Sequence, residues 1–452
     1  MPLRPHLPPL LAALLLAGCA SWSPDGGAGR LSELTQDRTG LAVTVQRSDA
    51  DVESARSQAM ALLARPLTAQ SAVEIALLNH RGLQAGFAEL GIAEAERVRA
   101  GRLANPTFGF GRLGGAEIDR SVMFNLLGLL TLPAASEAAQ RQLEQAQVRA
   151  AADAVGVAAE ARKAFFGAVA AQALVGFHEQ VKDAADASSD LARRMQRAGN
   201  FNKLAQMREQ AFQADATAGL AWARHRAVAA RERLARALGL SGEQLAFTLP
   251  EQLPDLPQAP LEPRDAEQTA IDMRLDVLMA RRHAEATAKS LGLTRRTRFV
   301  NVLEAGYANQ SQAGEPRRNG FEIELQLPLF DFGATGTARA EALYMQALHR
   351  AAEVAVNARS EVRESYSAYR TAFDLARHYR DEVVPLRRRI SEEMLLRYNG
   401  MLSSVFELLA DARDQIAAVT GAIEAQRDYW IADAELRSAL TGGSPAARRD
   451  TP

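Results

Sequence analysis

The sequence has 452 residues, enough for two or three domains of ordinary size. Basic and acidic residues number 53 and 54, which gives a net charge of -1, so neither nucleic acid nor an anionic membrane surface is an expected partner. Aromatic residues make up only 6% of the chain, and alanine dominates the apolar residues. Small side chains at packing positions favour long helices that lie close together over a thick globular core.

The N-terminus has the features of an export signal. An apolar run over Leu10–Ala17 follows a single arginine and is too short to span a bilayer, as in the core of a signal peptide. The residues Leu16-Ala17-Gly18-Cys19 resemble a bacterial lipobox, which implies cleavage before Cys19 and acylation of that residue. The alternative is an ordinary signal peptide followed by an incidental cysteine. We predict a signal peptide over residues 1–18 and a lipidated tether over residues 19–66.

Cys19 is the only cysteine of the chain, so a disulfide within one chain and a cysteine-based metal or redox site are excluded. A lipidated Cys19 would hold the protein in a membrane, since each buried methylene contributes about 0.8 kcal/mol of binding. Ala20 replaces an acidic residue after the cysteine, which by resemblance to enteric lipoproteins favours the outer membrane. No later segment is apolar over the thickness of a bilayer, so no transmembrane helix is predicted.

The remainder of the chain repeats one pattern twice. The first repeat, residues 67–240, contains a helical stretch, a strand-like hairpin, a long helix and a further helix. The corresponding segments are Leu67–Leu103, Asn105–Leu132, Ala134–Arg197 and Asn202–Leu238. A break at Gly199 separates the last two helices, and Pro133 closes the second strand.

A proline-rich linker, residues 241–265, separates the repeats. Its prolines at positions 250, 254, 257, 260 and 263 are incompatible with the interior of a helix or sheet. The second repeat, residues 266–441, restarts the pattern, with Pro328 at the end of its second strand, and residues 442–452 are predicted as a disordered tail. The predicted elements are helix Ala266–Leu293, strands Phe299–Asn309 and Phe321–Leu329, helix Thr337–Tyr398, a break at Gly400 and helix Ser404–Leu440.

The long helices carry a heptad pattern. Apolar residues recur every seven positions over 355–390, which predicts a left-handed supercoil of neighbouring helices. At about 1.5 Å per residue, helix Thr337–Tyr398 would be roughly 90 Å long, with a kink or break at Pro385. Short turns at Gly199 and Gly400 predict antiparallel helical hairpins. Heptads alone would equally fit a soluble coiled-coil rod.

The predicted strands argue against such a rod. Over 321–327, apolar residues alternate with Glu322, Glu324 and Gln326, so one strand face is apolar and the other is acidic or amide. Lipid outside and water inside a barrel are two environments that require this pattern. Four strands cannot close a membrane barrel, and open sheet edges are not tolerated in lipid, so several chains would have to contribute strands. The alternative is a soluble sheet of two hairpins packed on helices.

Three motifs give the chain a resemblance to the TolC-type outer-membrane efflux family. They are Pro328-Leu329-Phe330-Asp331-Phe332-Gly333 at the strand-to-helix junction, the segment VVPLRRRISEEMLLRYNG ending at Gly400, and the segment SSVFELLADARDQ after the turn. The resemblance extends over about residues 67–440. It implies a homotrimer in which four strands per chain form a twelve-stranded transmembrane β-barrel, surrounded by outer-membrane lipid and joined to an α-barrel of helical hairpins. It also implies a periplasmic adaptor protein and an inner-membrane pump as partners.

The resemblance also assigns residues to the channel. Pro328, Phe330, Asp331 and Gly333 would form the junction between the barrel and the helices. The corresponding junction of the first repeat, predicted at residues 133–137, lacks the Phe-Asp-x-Gly signature. On the pore wall, Glu322 and Glu324 would be lumen residues.

The tips of the hairpins would lie at the turns around Gly199 and Gly400. Family members often carry aspartates just after the second turn. The matching positions here are Phe406 and Leu409, with Glu407 and Asp411 nearby. An acidic gate and a hydrophobic constriction are therefore both open interpretations.

No catalytic or metal-binding motif accompanies these features. The match to G-x-G-x-x-G at Gly109–Gly114 opens no helix, as a nucleotide site would require, and the histidines form no H-E-x-x-H motif. No cofactor, metal or enzyme activity is therefore expected. The predicted function is a passive outer-membrane exit channel of a tripartite efflux or type I secretion system, opened by contact with the adaptor and pump. The alternative is a lipidated periplasmic adaptor protein with helical hairpins.

Overall fold

A computed structural model describes residues 21–114, 117–300, 302–312 and 314–442. The predicted signal peptide, Cys19 and the tail beyond Gly442 lie outside the described residues. The helices and strands in chain order are α1 Ala28–Thr39, α2 Asp49–Leu63, α3 Ala69–Asn79, α4 Arg81–Ala100, β1 Thr107–Leu113, β2 Glu117–Asn125, α5 Leu126–Arg197, α6 Lys203–Leu238, α7 Ala266–Met273, α8 Leu275–Thr297, β3 Val302–Ser311, β4 Arg318–Gln326, α9 Ala334–His378, α10 Val384–Asn399 and α11 Val405–Thr441.

The order of these elements confirms the predicted fold of a duplicated unit with long helices and four strands. In each half, a broken helix leads to two strands, a long helix, a turn and a final helix. The breaks in the two leading helices fall at His80 and Arg274, which both have extended backbone. The final helices begin after the equivalent N-cap residues Asn202 and Ser404, whose side chains accept hydrogen bonds from the backbone N–H groups of Ala205 and Glu407.

The segment predicted as a tether is folded from Ala28 onward. It forms α1 and α2, and the capping box of Ser48 and Asp51 starts α2. Ala59 and Leu63 of α2 are buried in a hydrophobic cluster. The periodic face of α2 carries small alanine side chains, so burial in this cluster stabilises the helix.

The chain forms two compact units. We call the first the sheet unit and the second the hairpin unit. The sheet unit comprises the described parts of 1–34, 85–151 and 275–356, and the hairpin unit comprises 35–84, 152–274 and the described part of 357–452.

In the sheet unit, one antiparallel sheet has the strand order β1-β2-β3-β4. The central pair, β2 and β3, joins the hairpin of the first repeat to that of the second, with Val122 opposite Tyr307. The strands β1 and β4 are the two edges of the sheet. The two β-hairpins, one from each repeat, thus form one continuous sheet with two unpaired edge strands.

In the hairpin unit, the heptad positions Val362, Tyr369 and Ala376 are buried, as the seven-residue pattern predicted. A π-helical turn over Tyr379–Val383 separates α9 from α10, at the place where Pro385 was expected to interrupt the helix. Proline lacks a backbone N–H and clashes with the preceding turn, so the α-helical hydrogen-bond ladder changes there.

The proline-rich linker is anchored on α11. The carbonyl oxygen of Pro254 accepts hydrogen bonds from Gln426 Nε2 at 2.8 Å and Trp430 Nε1 at 3.0 Å. Leu253 and Leu256 are buried. The linker is therefore irregular but ordered, because its leucines pack into the helical core while its prolines prevent regular structure.

Candidate functional site

The sheet has two chemically different faces. Successive side chains of a strand point to opposite faces, so the register places one set of apolar residues together. The set comprises Phe108, Val122, Phe124, Leu303, Ala305, Tyr307, Phe321, Ile323 and Leu325. Phe108 is 75% exposed and Phe321 is 85% exposed. An exposed apolar patch of this extent requires a partner surface or lipid.

A row of aromatic residues crosses this face from edge to edge. Phe108 on β1, Tyr307 on β3 and Phe321 on β4 occupy one row of the register, with Val122 between them on β2. All three rings are more than half exposed. The row is thus a band of exposed aromatic side chains across the apolar face.

A ladder of polar side chains lies on the same face, two residues from the aromatic row along each strand, toward the turns that connect β1 to β2 and β3 to β4. Arg120 Nη1 donates to Asn309 Oδ1 at 3.1 Å, and Asn309 Nδ2 donates to Asn319 Oδ1 at 2.6 Å. The three residues are directly opposite one another on β2, β3 and β4. The sequence did not indicate this ladder, because the three residues become neighbours only when the register aligns their strands.

The opposite face of the sheet is polar. Glu322 and Glu324, predicted as lumen residues, share this face with Glu304, and Glu304 lies directly opposite Glu324. Like charges at opposed positions of a sheet are destabilising unless water or counterions screen them. This face therefore favours a wet surface.

Glycine is required on this face where two strands approach closely. A Cβ atom at Gly306 would lie 2.1 Å from the carbonyl oxygen of Val122 and 2.4 Å from Met123 Sδ. At Gly109 it would lie 2.3 Å from Ser121 Oγ. The glycines therefore allow the neighbouring strands to approach closely on the polar face. The G-x-G-x-x-G match at residues 109–114 belongs to β1 and the turn that follows it.

The strand-to-helix junction is built as the sequence suggested around Asp331. Its Oδ1 atom accepts from the Gly333 N–H at 3.0 Å, and its Oδ2 atom accepts from Thr335 Oγ1. These bonds, the Thr335 hydroxyl first, hold the pKa of Asp331 below its ordinary value. The carbonyl oxygen of Pro328 accepts from the Phe332 N–H at 2.8 Å. Asp331 thereby fixes the first turn of α9 after the strand.

Gly333 has a positive φ of 72°, and a Cβ atom there would lie 2.3 Å from the carbonyl oxygen of Arg298. The junction therefore requires glycine for its backbone conformation and for its contact with the residue that follows α8. Phe330 and Phe332 are exposed beside it. Pro328, Asp331 and Gly333 thus lie in one hydrogen-bonded turn between β4 and α9, beside the exposed ring of Phe330.

The strand-to-helix junction of the first repeat lies before residues 133–137, where it was predicted. Asn125 ends β2, and its Oδ1 atom accepts from the Gly128 N–H at 2.5 Å, so α5 begins at Leu126. Pro133, predicted to end the strand, lies inside α5. The leucine-rich stretch 126–132 fits both a strand and a helix by composition, and the Asn125 cap decides for the helix.

The hairpin-tip turns were predicted at Gly199 and Gly400. In the first turn, Gly199 has φ of 79° and Asn200 N–H donates to the Met195 carbonyl at 2.9 Å. In the second, Leu402 N–H donates to the Arg397 carbonyl at 2.8 Å, and the left-handed residue is Met401 with φ of 60°. Both turns are Schellman motifs, but Gly400 has φ of -82° and does not supply the left-handed residue.

This geometry predicts an unusual order of stabilities for turn substitutions. Met401→Gly is expected to stabilise the protein by about 1 kcal/mol, because a left-handed backbone costs a non-glycine residue about 1–2 kcal/mol. Gly199→Ala is expected to destabilise it by a similar amount. Gly400→Ala is expected to cause no loss, since its Cβ atom would make only ordinary contacts. Thermal unfolding followed by circular dichroism checks the order; equal losses at residues 199 and 400 would contradict it.

The residues predicted near the second tip have separate roles and do not form one acidic cluster. Glu407 completes a capping box, since its Oε2 atom accepts from the Ser404 N–H at 2.8 Å. Asp411 is buried and its Oδ2 atom accepts from Ser391 Oγ at 2.5 Å. Leu409 is buried in a hydrophobic cluster. Phe406 is partly exposed and lies under the guanidinium of Arg208, 3.7 Å from the ring centroid.

No residue of helix α10 is buried. The helix contacts α11 through an ion pair between Arg387 Nη1 and Asp414 Oδ2 at 2.9 Å. Its exposed apolar residues include Leu386, Leu395 and Leu396, and Met401 and Leu402 are exposed in the following turn. One chain therefore leaves this tip uncovered.

Among the helices of the described ranges, none has the length and apolar character needed to cross a membrane. The described residues also contain no group of three or more His, Cys, Asp or Glu side chains that could hold a metal ion.

The fold of this chain is similar to those of several solved membrane proteins. A membrane protein from Pseudomonas aeruginosa matches with a TM-score of 0.72 and 19% identity over 83% of this chain and 90% of that one. The outer membrane protein VceC from Vibrio cholerae matches with a TM-score of 0.68 and 17% identity over 83% and 96%. The outer membrane channel CmeC from Campylobacter jejuni matches with a TM-score of 0.66 and 12% identity over 96% and 94%.

No protein-family model and no curated protein sequence matches the chain. At identities of 12% to 19%, the structural likeness establishes the fold. The likeness extends over most of this chain and nearly all of each related chain.

Proposed function

We propose that this chain, which has the fold of the TolC-type outer-membrane channels, is a subunit of a passive exit channel in the outer membrane. The observation that carries the proposal is the two-faced sheet. Its apolar face is exposed, and its opposite face carries Glu304, Glu322 and Glu324. Lipid on one side and a water-filled lumen on the other satisfy both faces at once.

The aromatic row and the polar ladder support this orientation. Membrane barrels carry aromatic girdles where the lipid-facing surface meets water. Phe108, Tyr307 and Phe321 lie next to the ladder of Arg120, Asn309 and Asn319. The ladder would face the outer aqueous boundary, and the exposed residues Phe330 and Phe332 at the junction would lie at the opposite boundary.

The sheet edges support a homotrimer. The N–H and C=O groups of an open edge cannot remain unpaired in lipid, and β1 and β4 are both edges. Three copies would place β4 of each chain beside β1 of the next and close a twelve-stranded barrel. The exposed apolar residues of α10 would be covered by neighbouring helices in an α-barrel.

The hairpin tips would extend into the periplasm and meet an adaptor protein. Met401 and Leu402 are among the most exposed apolar residues of the chain, as expected of a surface that a partner covers. An inner-membrane pump would supply the energy, and the protein would act in a tripartite efflux or type I secretion system. The tip contacts of Phe406, Glu407, Leu409 and Asp411 would narrow the channel to a small ion conductance until the adaptor binds and opens it.

A periplasmic adaptor is the less favoured function. An adaptor would carry one helical hairpin between soluble β segments, whereas this chain has two hairpins and a sheet with an exposed apolar face. We also propose that acylated Cys19 anchors the chain in the outer membrane. Incorporation of radiolabelled palmitate by the wild type and not by Cys19→Ser would support the anchor, and labelling of the serine variant would contradict it.

Disulfide cross-linking of the sheet edges tests the trimer directly. Phe108→Cys on β1 is combined in turn with Phe321→Cys, Ile323→Cys and Leu325→Cys on β4, all on the same face. We expect at least one pair to give a covalent trimer after oxidation of outer membranes, resolved on a denaturing gel. Bilayer recordings of the purified wild type should show ion conductance.

The matched control places both cysteines on the central strands. Val122→Cys and Tyr307→Cys face each other within one chain, so this pair should form a disulfide and still migrate as a monomer. Recovery of the protein only as a monomer in the inner membrane, with no edge pair cross-linked between chains, would reject the channel.

A further inference from the structure

A cavity of about 350 Å³ lies in the hairpin unit between α5, α6 and α11. Its walls are mainly apolar and include Phe177 and Val181 of α5, Phe212 of α6, and Leu409 and Ile416 of α11. Helices α5 and α6 form one hairpin, whereas α11 belongs to the other. A ligand in this cavity would therefore contact both hairpins of the chain.

One carboxylate, that of Glu209 on α6, lines the cavity. Glu209 is 5% exposed, and its Oε2 atom accepts a hydrogen bond from Ser188 Oγ at 2.7 Å. In the described ranges, no basic side chain forms an ion pair with Glu209, and its Oε1 atom accepts no hydrogen bond. The residues that line the cavity therefore carry one negative charge and no positive charge, and a buried carboxylate is stabilised by a cation.

Two arginines on the helices that form the cavity, Arg208 of α6 and Arg413 of α11, make contacts with other residues. Arg413 Nη2 lies 3.4 Å from Asp215 Oδ2, and its guanidinium is 5.9 Å from the Phe212 ring centroid. Arg208 stacks on Phe406. Neither arginine lines the cavity. A bound cation would therefore complement the charge of Glu209.

The walls specify what kind of cation fits. A divalent metal ion prefers six or more oxygen ligands, and this cavity offers one carboxylate with few other oxygens. Phenyl rings instead attract organic cations through their faces, and Phe177 and Phe212 both line the cavity. Aliphatic walls favour a compact apolar body attached to the charge.

We propose that this cavity is a binding site for organic monocations with a compact apolar body, such as quaternary ammonium compounds. The cationic head lies against Glu209 and the rings of Phe177 and Phe212, and the apolar body packs on Val181, Leu409 and Ile416. The site rests on these contacts and not on the channel function, so binding can be tested without transport.

The test uses two ligands of the same shape. Benzyltrimethylammonium carries the positive charge, and neopentylbenzene is its uncharged isostere with carbon in place of nitrogen. Ligand-observed NMR with the full-length protein in nanodiscs measures both affinities. We expect the wild type to bind the cation at least tenfold more tightly than the hydrocarbon, and the bound cation to raise the thermal unfolding temperature.

Glu209→Gln retains an oxygen that can accept from Ser188 but removes the negative charge. It should weaken binding of the cation at least tenfold and change binding of neopentylbenzene less than twofold. The matched control, Glu232→Gln, makes the same change at an exposed position of α6 outside the cavity and should leave both affinities unchanged. Phe177→Leu provides a second variant that keeps an apolar wall, and it should weaken only the cation.

Equal affinity of the wild type for the two ligands would overturn the proposal. So would equal losses for both ligands in Glu209→Gln, or a loss in Glu232→Gln as large as that in Glu209→Gln. If Glu209→Gln does not fold, Phe177→Leu decides, because unchanged cation binding in that variant also overturns the site. A protein that binds the cation but shows no bilayer conductance would retain the site and reject the channel.

Discussion

Arginine at position 323 is expected to prevent assembly of the protein in the outer membrane, whereas arginine at position 324 is expected to be tolerated. Ile323 is 62% exposed on the apolar face, and Glu324 lies on the opposite face of the same strand. Arginine facing lipid near the bilayer centre costs about 2–4 kcal/mol. A trimer would incur this cost in three subunits.

The two variants differ by one residue, so strand propensity and added charge are nearly matched. In Ile323→Arg, we expect little folded protein in the outer-membrane fraction, measured by heat-sensitive migration on gels and by density centrifugation. Glu324→Arg should assemble, because it also relieves the repulsion between Glu304 and Glu324. Its reversal potential in bilayers should shift toward anions. Equal assembly of both variants would contradict the assignment of the apolar face to lipid.

The second large effect is expected at Gly333. Gly333→Ala places a side chain in a left-handed backbone, which costs about 1–2 kcal/mol, and drives its Cβ atom against the Arg298 carbonyl. Overpacking of this kind costs about 1–3 kcal/mol more. We therefore expect a total loss of about 2–5 kcal/mol, measured as a lower thermal unfolding temperature and faster proteolysis at the junction.

Gly336 is the matched control for this prediction. It lies three residues further along in α9, and a Cβ atom there would meet no other atom within 4 Å. Gly336→Ala should stabilise the helix by up to about 1 kcal/mol, because alanine has the higher helix propensity. If both alanine variants lose stability equally, the close contact at Gly333 is not what fixes the junction.

Much of the fold could be predicted from periodic patterns. The alternation from Phe321 to Leu327 indicated β4, and the seven-residue pattern indicated a helix whose residues Val362 and Tyr369 are indeed buried. The motif around Asp331 indicated the second junction, since its capping bonds are made within a few residues. Such features depend on residues that are close together in the chain, so they can be recognised from the sequence.

Other parts of the candidate site depended on contacts between distant residues. The start of α5 was misplaced because the leucines before Pro133 suit a strand or a helix, and the Asn125 cap was overlooked. A turn at Gly400 was predicted, but the sequence did not indicate that the left-handed backbone of this turn lies at Met401. Glu209 gave no sequence signal at all, since its burial depends on three separate helices.

The sequence was sufficient to predict the duplicated order of helices and strands, the two-faced character of β4 and the turn from β4 into α9. These follow from side-chain periodicity and from hydrogen bonds between near neighbours. The sequence did not indicate that the two β-hairpins join through β2 and β3 into one sheet, or that Arg120, Asn309 and Asn319 form a single ladder. Register and burial arise from pairing segments far apart in the chain, and local residue patterns do not encode which segments meet.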